Sequence, residues 1–510
     1  MVRLWRYNSW SDVWGASSLA SYFYRRAEKA APQISLLSRV AVLVAGAICI
    51  GLCLFGIRGR MGYNPIKVSQ AYYCEDPFLN QLGVNPVFNL LTSTLDDNRK
   101  ENRTLHLMSE EDALSKVQKY LHRQGIDWLS PIARKVEREG TPNRRNVVLV
   151  FMESMSANLM GTFGSDKKLT PYLDSLYQQS LSFSHFYSSG IHTNHGIYST
   201  LYSFPAIMKR NAMKGSVIPV YSGLPTVLQE NGYCNLFFMT HESQYDNMNA
   251  FLRTNGFDEI YAQENYPSEK VVNSFGVQDD FMYQYALPIL NERAGTGNPF
   301  FSVLLSISNH PPYVIPPYFH PHSDVLEEQI VEYADWSIRQ FMQAAEKQPW
   351  FDNTIFVFLG DHGKMVGTPE CEMPQSYNHI PLMIYGKDIK PGVYDGFGGQ
   401  VDVSPTLLGL LNISYLQNNF GVNLLEEERP CMFFTADNLI GARDSVNMFI
   451  YSPDSQQEFK YKLEEGKLHA ATGTDEEAFR NLKDYCFSML QSTESLVKEH
   501  KTLDKVSVKK

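Results

Sequence analysis

The chain has 510 residues, 44% of them apolar and 20% charged, which is the make-up of a globular protein with a large core and excludes a disordered one. Fifty-five acidic against 45 basic side chains leave a net charge of −10, and this argues against a nucleic-acid binder, which presents a basic face. Length alone allows roughly two to four structural units, and no internal repeat is visible.

The first feature along the chain is Val40–Ile57, 18 residues without a charge. With its flanks, residues 34–58, it is long enough to cross a bilayer as a helix if Arg39 reaches back to the headgroups. A cleaved signal peptide is the alternative. Against it stand the residues ahead of the stretch and Arg58 and Arg60, where small cleavage-site residues belong. Arg25, Arg26, Lys29 and Arg39 precede the span, whereas Arg58, Arg60 and Lys67 follow it. The positive-inside rule then puts residues 1–33 in the cytoplasm and the body outside. The expectation is a single-pass protein of the cell (inner) membrane with its main domain on the outer, periplasmic face. Of the seven cysteines, Cys49 and Cys53 fall within the span. Cys74, Cys234, Cys371, Cys431 and Cys486 are scattered, with no zinc-ribbon spacing and room for one disulfide.

Residues 59–143 read as a juxtamembrane connector. Within it Ser109 is an N-cap candidate for a helix that buries Leu114, Val117, Tyr120 and Leu121 and stops at Gly125. From 144 to 412 strands and helices alternate. Asn146–Met152, Leu181–Tyr187, Cys234–Met239, Phe301–Ser308, Asn353–Gly360 and His379–Tyr385 read as strands. Helices are expected from Thr170-Pro171 to Ser180, Asn194 to Ser203, Leu224 to Asn231, Val325 to Lys347 and Val403 to Leu411. Residues 413–492 give shorter strands (Cys431–Thr435, Met448–Tyr451, Phe459–Leu463) and a last helix over Glu476–Leu490, completing the catalytic fold as a C-terminal subdomain. A basic tail, 493–510, closes the chain.

Three of these strands are apolar without alternation, as strands covered on both faces are. Repeated βα units therefore predict an α/β fold: a mainly parallel sheet sandwiched by helices, a smaller C-terminal α+β part and one N-terminal transmembrane helix. In such sheets ligands bind beyond the carboxyl ends of the strands. The three runs end on Glu153-Ser154, Asn309-His310 and Asp361-His362-Gly363, so Glu153, His310, Asp361 and His362 are expected on one rim.

Phe151-Met-Glu-Ser154, Gly190-Ile-His-Thr193, Ser308-Asn-His310 and Gly360-Asp-His-Gly363 together resemble the motif set of lipoteichoic acid synthase-type phosphoglycerol transferases, in the sulfatase/alkaline phosphatase superfamily. Tyr245-Asp-Asn-Met248, Asn255-Gly-Phe257 and Val401-Asp-Val-Ser-Pro-Thr406 follow in the same order, and the resemblance spans roughly residues 60–490. It implies a sulfatase-like fold and a divalent cation held by Glu153, Asp361, His362 and the hydroxyl of Thr193. That mixed oxygen and nitrogen set suits Mn²⁺ first, with Zn²⁺ or Mg²⁺ as alternatives. Thr193 would be the nucleophile, its hydroxyl activated by the ion, at a helix N-terminus suited to phosphate. The resemblance also puts His310 at the phosphoryl group and His379 among substrate-binding candidates, and His241, which follows the strand Cys234–Met239, is a further candidate. His192 and His195 flank Thr193 as supporting or surface residues. The donor would be a membrane phospholipid and the acceptor a glycan or glycolipid, through a phosphothreonine intermediate.

Plainer readings exist for the same residues. Threonine is a good N-cap, Asp361-His362 could close a turn, Glu153 could pair with a base, and His310 could be a loop residue held by Pro311 and Pro312. A phosphodiesterase, a phosphoethanolamine transferase and a non-catalytic envelope scaffold are the rival functions. Two departures from the synthase pattern bear on substrate: one membrane helix stands where those synthases carry five, and their Trp-x-Arg clamp is absent between His241 and Met248. The sulfatase Cys/Ser-x-Pro-x-Arg signature is missing around Thr193, which argues against sulfate ester hydrolysis.

Overall fold

The computed structural model describes residues 35–61, 66–73, 77–97, 99, 104–215, 218–464, 466–471 and 476–503. The predicted segment 1–33, Cys74 and the end of the basic tail lie outside the described residues. The chain divides into two compact units at Ile66 and Lys67. In the first, α1 (Leu36–Arg58) starts at Ser35, whose hydroxyl accepts the Ser38 N–H, and ends at Gly59 in the left-handed conformation. Its side chains are exposed throughout, and it is long and apolar enough to cross a membrane. The six described cysteines are free thiols.

In the second unit eight strands form the central sheet: β1 (Asn146–Met152), β2 (Leu181–Tyr187), β3 (Cys234–Met239), β4 (Glu259–Tyr261), β5 (Phe300–Leu305), β6 (Thr354–Gly360), β7 (Leu382–Tyr385) and β8 (Gly392–Gly399). Their spatial order is β8-β2-β7-β6-β1-β5-β3-β4. Only β7 runs against its neighbours, β2 and β6; the other pairings are parallel. The sheet is thus mixed but mainly parallel. Every residue of β1, β5 and β6 is buried, and alternate side chains enter opposite cores. Val147, Leu149 and Phe151 join one apolar cluster, and Val148, Val150 and Met152 the other. Burial on both faces is why these runs lack polar alternation.

Helices α3 (Pro171–Gln179), α6 (Asp279–Ala294) and α7 (Leu326–Ala345) cover one face. On the other lie α4 (Thr193–Tyr202), α5 (Leu224–Glu230) and α8 (Val403–Leu410). The connector helix α2 (Glu110–Tyr120) is capped by Ser109, whose hydroxyl accepts the Asp112 N–H at 3.2 Å. It stops before Gly125 because His122 turns left-handed and Arg123 is drawn onto the carbonyls of Ile132, Asn419 and Gly421.

A five-stranded antiparallel sheet, β9 (Met432–Ala436) to β13 (Lys467–Ala470) in chain order, forms the C-terminal part, with α9 (Glu476–Lys498) packed on it and on α2. The last helix runs past its predicted end at Leu490. Its second half, Gln-Ser-Thr-Glu-Ser, looks exposed by composition yet is buried. Gln491 Oε1 and Glu494 Oε2 accept the backbone N–H groups of Leu107 and Leu105.

Candidate active site

Strands β1, β5, β6 and β3 are parallel, and β2 shares their direction because β7 reverses between β6 and β2. Their carboxyl ends therefore deliver Glu153, Asn309-His310, Asp361-His362, His241 and the Ser188–Thr193 loop to one rim. There the side chains of Glu153, Asp361 and His362 offer ligand atoms that all lie within 4.8 Å of one another.

The local bonding of this trio leaves one atom of each acid pointing inward. Ser154 takes a left-handed conformation (φ 51°), a strained choice for a residue with a β-carbon, so that its N–H meets Asp361 Oδ1 at 2.8 Å. The His362 N–H meets the same oxygen at 2.8 Å. Asp361 Oδ2 is buried with no hydrogen-bond partner among the described residues. In Glu153, Oε1 accepts the Ser154 hydroxyl at 2.7 Å, and Oε2 is likewise buried and unmatched. The His362 Nδ1–H donates to the Gly363 carbonyl at 2.8 Å. That bond fixes the tautomer and leaves the Nε2 lone pair aimed at Asp361 Oδ2, 3.5 Å away, and at Glu153 Oε1, 3.8 Å away. Donors that each sit about 2.0–2.3 Å from one ion are spaced in this way. Burial first, and the neighbouring Asp361 carboxylate second, hold Glu153's carboxyl well above the usual range. Among the described residues no lysine or arginine stands at ion-pair distance from these two buried acids, and with the imidazole they form a set that fits a divalent cation.

Thr193 opens α4, the helix that follows the β2 loop. A β-carbon on Gly196, one turn on, would lie 2.2 Å from the Asp361 carbonyl oxygen, so the first turn of α4 rests on the Asp361 backbone. Gln400 locks that junction from below. Its amide donates to the carbonyls of Gly360 (3.0 Å) and Asp361 (2.7 Å) and accepts the Ser189 N–H (3.0 Å). Beside Thr193, the Asn194 amide donates to Asp246 Oδ2 at 3.0 Å, while Lys214 reaches Oδ1 at 3.2 Å. Asp246 and Asn247 both carry positive φ, 48° and 69°, which turns this carboxylate toward α4.

The five further histidines divide. His310 donates from Nδ1 to its neighbour's carbonyl, Pro311, at 2.6 Å and lies against Phe275, ring centres 4.1 Å apart; burial lowers its pKa, and His362 and Asp361 are both within electrostatic reach. His241 is fully buried, donates from Nδ1 to the Glu242 carbonyl and leaves Nε2 with no hydrogen-bond partner among the described residues; burial pushes it down to about 4. His379 is placed differently. Its Nε2 donates to the Ser184 carbonyl at 2.9 Å, and its ring packs between Phe163 and Tyr187, so it ties β2 to the start of β7 and stands outside the trio. His192 sits 2.7 Å from Asp437 of the C-terminal sheet, and His195 is buried in α4 against the His192 ring.

Residues not singled out from sequence complete the rim: Ser154, Asn309, Asp246 and Lys364. The Asn309 amide donates to the carbonyls of Glu153 and Ser154, and its oxygen accepts Lys364 Nζ at 2.6 Å. Burial pushes Lys364 down to about 8. Asn309 and Asp246 lay inside motifs already quoted, and Lys364 follows one directly.

A mixed, mainly parallel sheet between helices, with an acid–acid–imidazole trio at its carboxyl rim and a threonine-led helix against it, defines the alkaline phosphatase/sulfatase-like fold. The sulfatase family model matches residues 145–413, more than half of the sequence, and the chain belongs to that family. It is an enzyme of the family, related to lipoteichoic acid synthases. It is 25% identical over 362 residues to the lipoteichoic acid synthase-like YvgJ of Bacillus subtilis, covering 64% of this chain and 56% of that protein. Against the lipoteichoic acid synthase of Staphylococcus aureus it is 23% identical over 400 residues, 69% of this chain and 58% of the other. The chain thus spans little more than half the length of these curated relatives. Among solved structures, an alkaline phosphatase superfamily protein from Vibrio parahaemolyticus superposes with a TM-score of 0.69 at 25% identity, over 78% of this chain and 97% of that one. The lipoteichoic acid synthase LtaP of Listeria monocytogenes gives a TM-score of 0.60 at 23% identity, over 76% and 98%.

Proposed function

We propose that this protein is a membrane-anchored, metal-dependent transferase that moves phosphoglycerol, or a similar headgroup phosphate, from a phospholipid to an envelope glycan or glycolipid. The observation that carries the reading is the convergence of Glu153, Asp361 and His362 within 4.8 Å at the rim against which the Thr193 helix rests. Glu153, Asp361, His362 and the Thr193 hydroxyl would hold one divalent cation, Mn²⁺ first by donor type, Zn²⁺ or Mg²⁺ otherwise. Such an ion supplies Lewis-acid stabilisation of phosphoryl oxygens and makes an alcohol a usable nucleophile.

The chain's own groups then have these roles. Thr193 Oγ1 attacks the headgroup phosphorus as its own proton passes to solvent, and the phosphorus–oxygen bond to diacylglycerol breaks. His310 gives that oxygen a proton, so diacylglycerol leaves and the headgroup phosphate stays on Thr193 as a diester. An acceptor hydroxyl attacks the same phosphorus in the second half, its proton going to the histidine, and the bond to Thr193 Oγ1 breaks as that oxygen takes a proton back from solvent. The N-terminal N–H groups of α4, ten residues long, favour the anion in both halves. His241, with its unmatched Nε2, faces the headgroup. Helix α1 anchors the enzyme with its N-terminus in the cytoplasm and its catalytic body outside, beside a lipid donor held at high effective concentration.

The test is mass spectrometry of protein incubated with Mn²⁺ and phosphatidylglycerol. A glycerophosphate adduct on Thr193 is expected, absent from Thr193→Ala. Full turnover by Thr193→Ala would reject the assignment. An ethanolamine phosphate adduct from phosphatidylethanolamine would instead select the phosphoethanolamine transferase, and hydrolysis without an acceptor the phosphodiesterase.

A further inference from the structure

Lys364 is a half-buried ammonium that lacks an ion partner. It follows His362 by two residues, donates to Asn309 Oδ1 at 2.6 Å and lies 5.8 Å over the Tyr313 ring. Among the described residues no carboxylate stands at ion-pair distance from it. Withdrawing an ammonium from water even in part is unfavourable unless something answers the charge.

Its mounting is rigid. The Lys364 N–H donates to the Ser156 hydroxyl at 2.8 Å, and that oxygen also faces the Ser376 carbonyl at 2.8 Å. Gly363, just before it, packs so tightly that a β-carbon would lie 2.1 Å from the Ser376 carbonyl oxygen. The Asn309 amide is fixed in turn by the carbonyls of Glu153 (3.0 Å) and Ser154 (3.3 Å). One amide therefore ties the ammonium to the backbone that presents the Glu153 carboxylate.

We infer that Lys364 contacts a non-bridging oxygen of the substrate's phosphate. The inference rests on the proposed reading of the rim as a phosphodiester site. In that reading the two acids balance a divalent cation, so the Lys364 ammonium adds positive charge at the rim. A phosphodiester carries one negative charge, both in the lipid and on Thr193. Of the three ammonium N–H groups only one is used by Asn309, and two remain for phosphate oxygens.

The experiment is calorimetric titration of Mn²⁺-loaded protein with inorganic phosphate, with Mn²⁺ affinity measured separately. For Lys364→Met, phosphate binding is expected to weaken at least tenfold while Mn²⁺ affinity stays at the wild-type value; Lys364→Arg should keep most of the phosphate affinity. Lys364→Gln, which can still donate to Asn309, guards against a folding defect and should behave like the methionine variant. Wild-type phosphate affinity in either neutral variant overturns the inference and leaves the proposed function standing. Wild-type protein that binds Mn²⁺ but no phosphate overturns both.

Discussion

Gly196 and Asp361 meet at backbone distance: a β-carbon on the glycine would stand 2.2 Å from the aspartate's carbonyl oxygen. Neither partner can rotate away, because the obstacle is main chain and Gln400 pins it. The missing side chain thus sets how closely the Thr193 helix approaches the end of β6. Gly196→Ala should push α4 off the rim. We expect Mn²⁺ binding to weaken about tenfold or more, equivalent to roughly 1.4 kcal/mol, although Gly196 offers no ligand atom. Calorimetry decides it; unchanged affinity would mean the α4 approach has no part in holding the ion.

Much of this site could be read in the sequence because its strands are buried on both faces. Unbroken apolar runs announce such strands, and the residue that ends each one is where ligands gather, so Glu153, Asp361 and His362 were predictable together. Asn309, Asp246 and Lys364 were harder to see, since each acts through a bond to a distant element: Asn309 to the Glu153 backbone, Asp246 to Asn194, Lys364 to Asn309. His379 shows the converse. It begins a predicted strand where the resemblance suggests a substrate contact, and in the fold its ring stacks on Tyr187 while its Nε2 donates to the Ser184 carbonyl. Strand β8, Gly-Val-Tyr-Asp-Gly-Phe-Gly-Gly, has no strand pattern in its sequence because glycine carries none; it forms by pairing along β2.

Asp335 should make stability depend on pH. From α7 its carboxylate accepts the N–H groups of Tyr172 (3.0 Å) and Leu173 (2.8 Å) in the first turn of α3. Burial outweighs those bonds and pushes it up to about 7. Unfolded, it would titrate near 4. Between those values the folded state binds the extra proton, so this group's contribution is full below about pH 4 and is lost as pH rises through 7. Asp335→Asn keeps an acceptor oxygen and removes the titration. Urea unfolding from pH 5 to 8 should therefore show a flatter profile for the variant; parallel profiles would exclude Asp335 as the source. Asp335→Ala, which strands both N–H groups, should cost about 1–3 kcal/mol.

The buried pair Asp402–Arg429 supports the floor of the site. Arg429 donates from Nε to Oδ2 at 2.7 Å and from Nη2 to Oδ1 at 2.6 Å, and the carboxylate also accepts the N–H groups of Gly399 and Val422. Asp402 lies two residues from Gln400, the clamp on Asp361. Arg429→Met leaves a buried carboxylate uncompensated and should cost about 3–5 kcal/mol. Asp402→Asn combined with Arg429→Met should cost less than the sum of the single changes, because the two groups share one bond set. Thermal unfolding of the four proteins measures the coupling, and strict additivity would count against it.

Glu153 and Asp361 predict a crossing of stabilities between metal-free and metal-loaded protein. Without a cation the two buried carboxyls oppose each other, and burial with that repulsion already raises the Glu153 pKa. Glu153→Gln removes the conflict, so in chelator the variant should melt no lower than wild type. With Mn²⁺ the order should invert. A ligand at a hundred times its dissociation constant stabilises the folded state by about 2.7 kcal/mol, and only the protein with both acids can collect that energy. Differential scanning calorimetry with EDTA and then with excess Mn²⁺ gives all four values. If Mn²⁺ lifted the melting temperature of Glu153→Gln as far as that of wild type, the ion would be bound elsewhere. If it lifted neither, the unmatched oxygens of Glu153 and Asp361 would need another explanation than a cation.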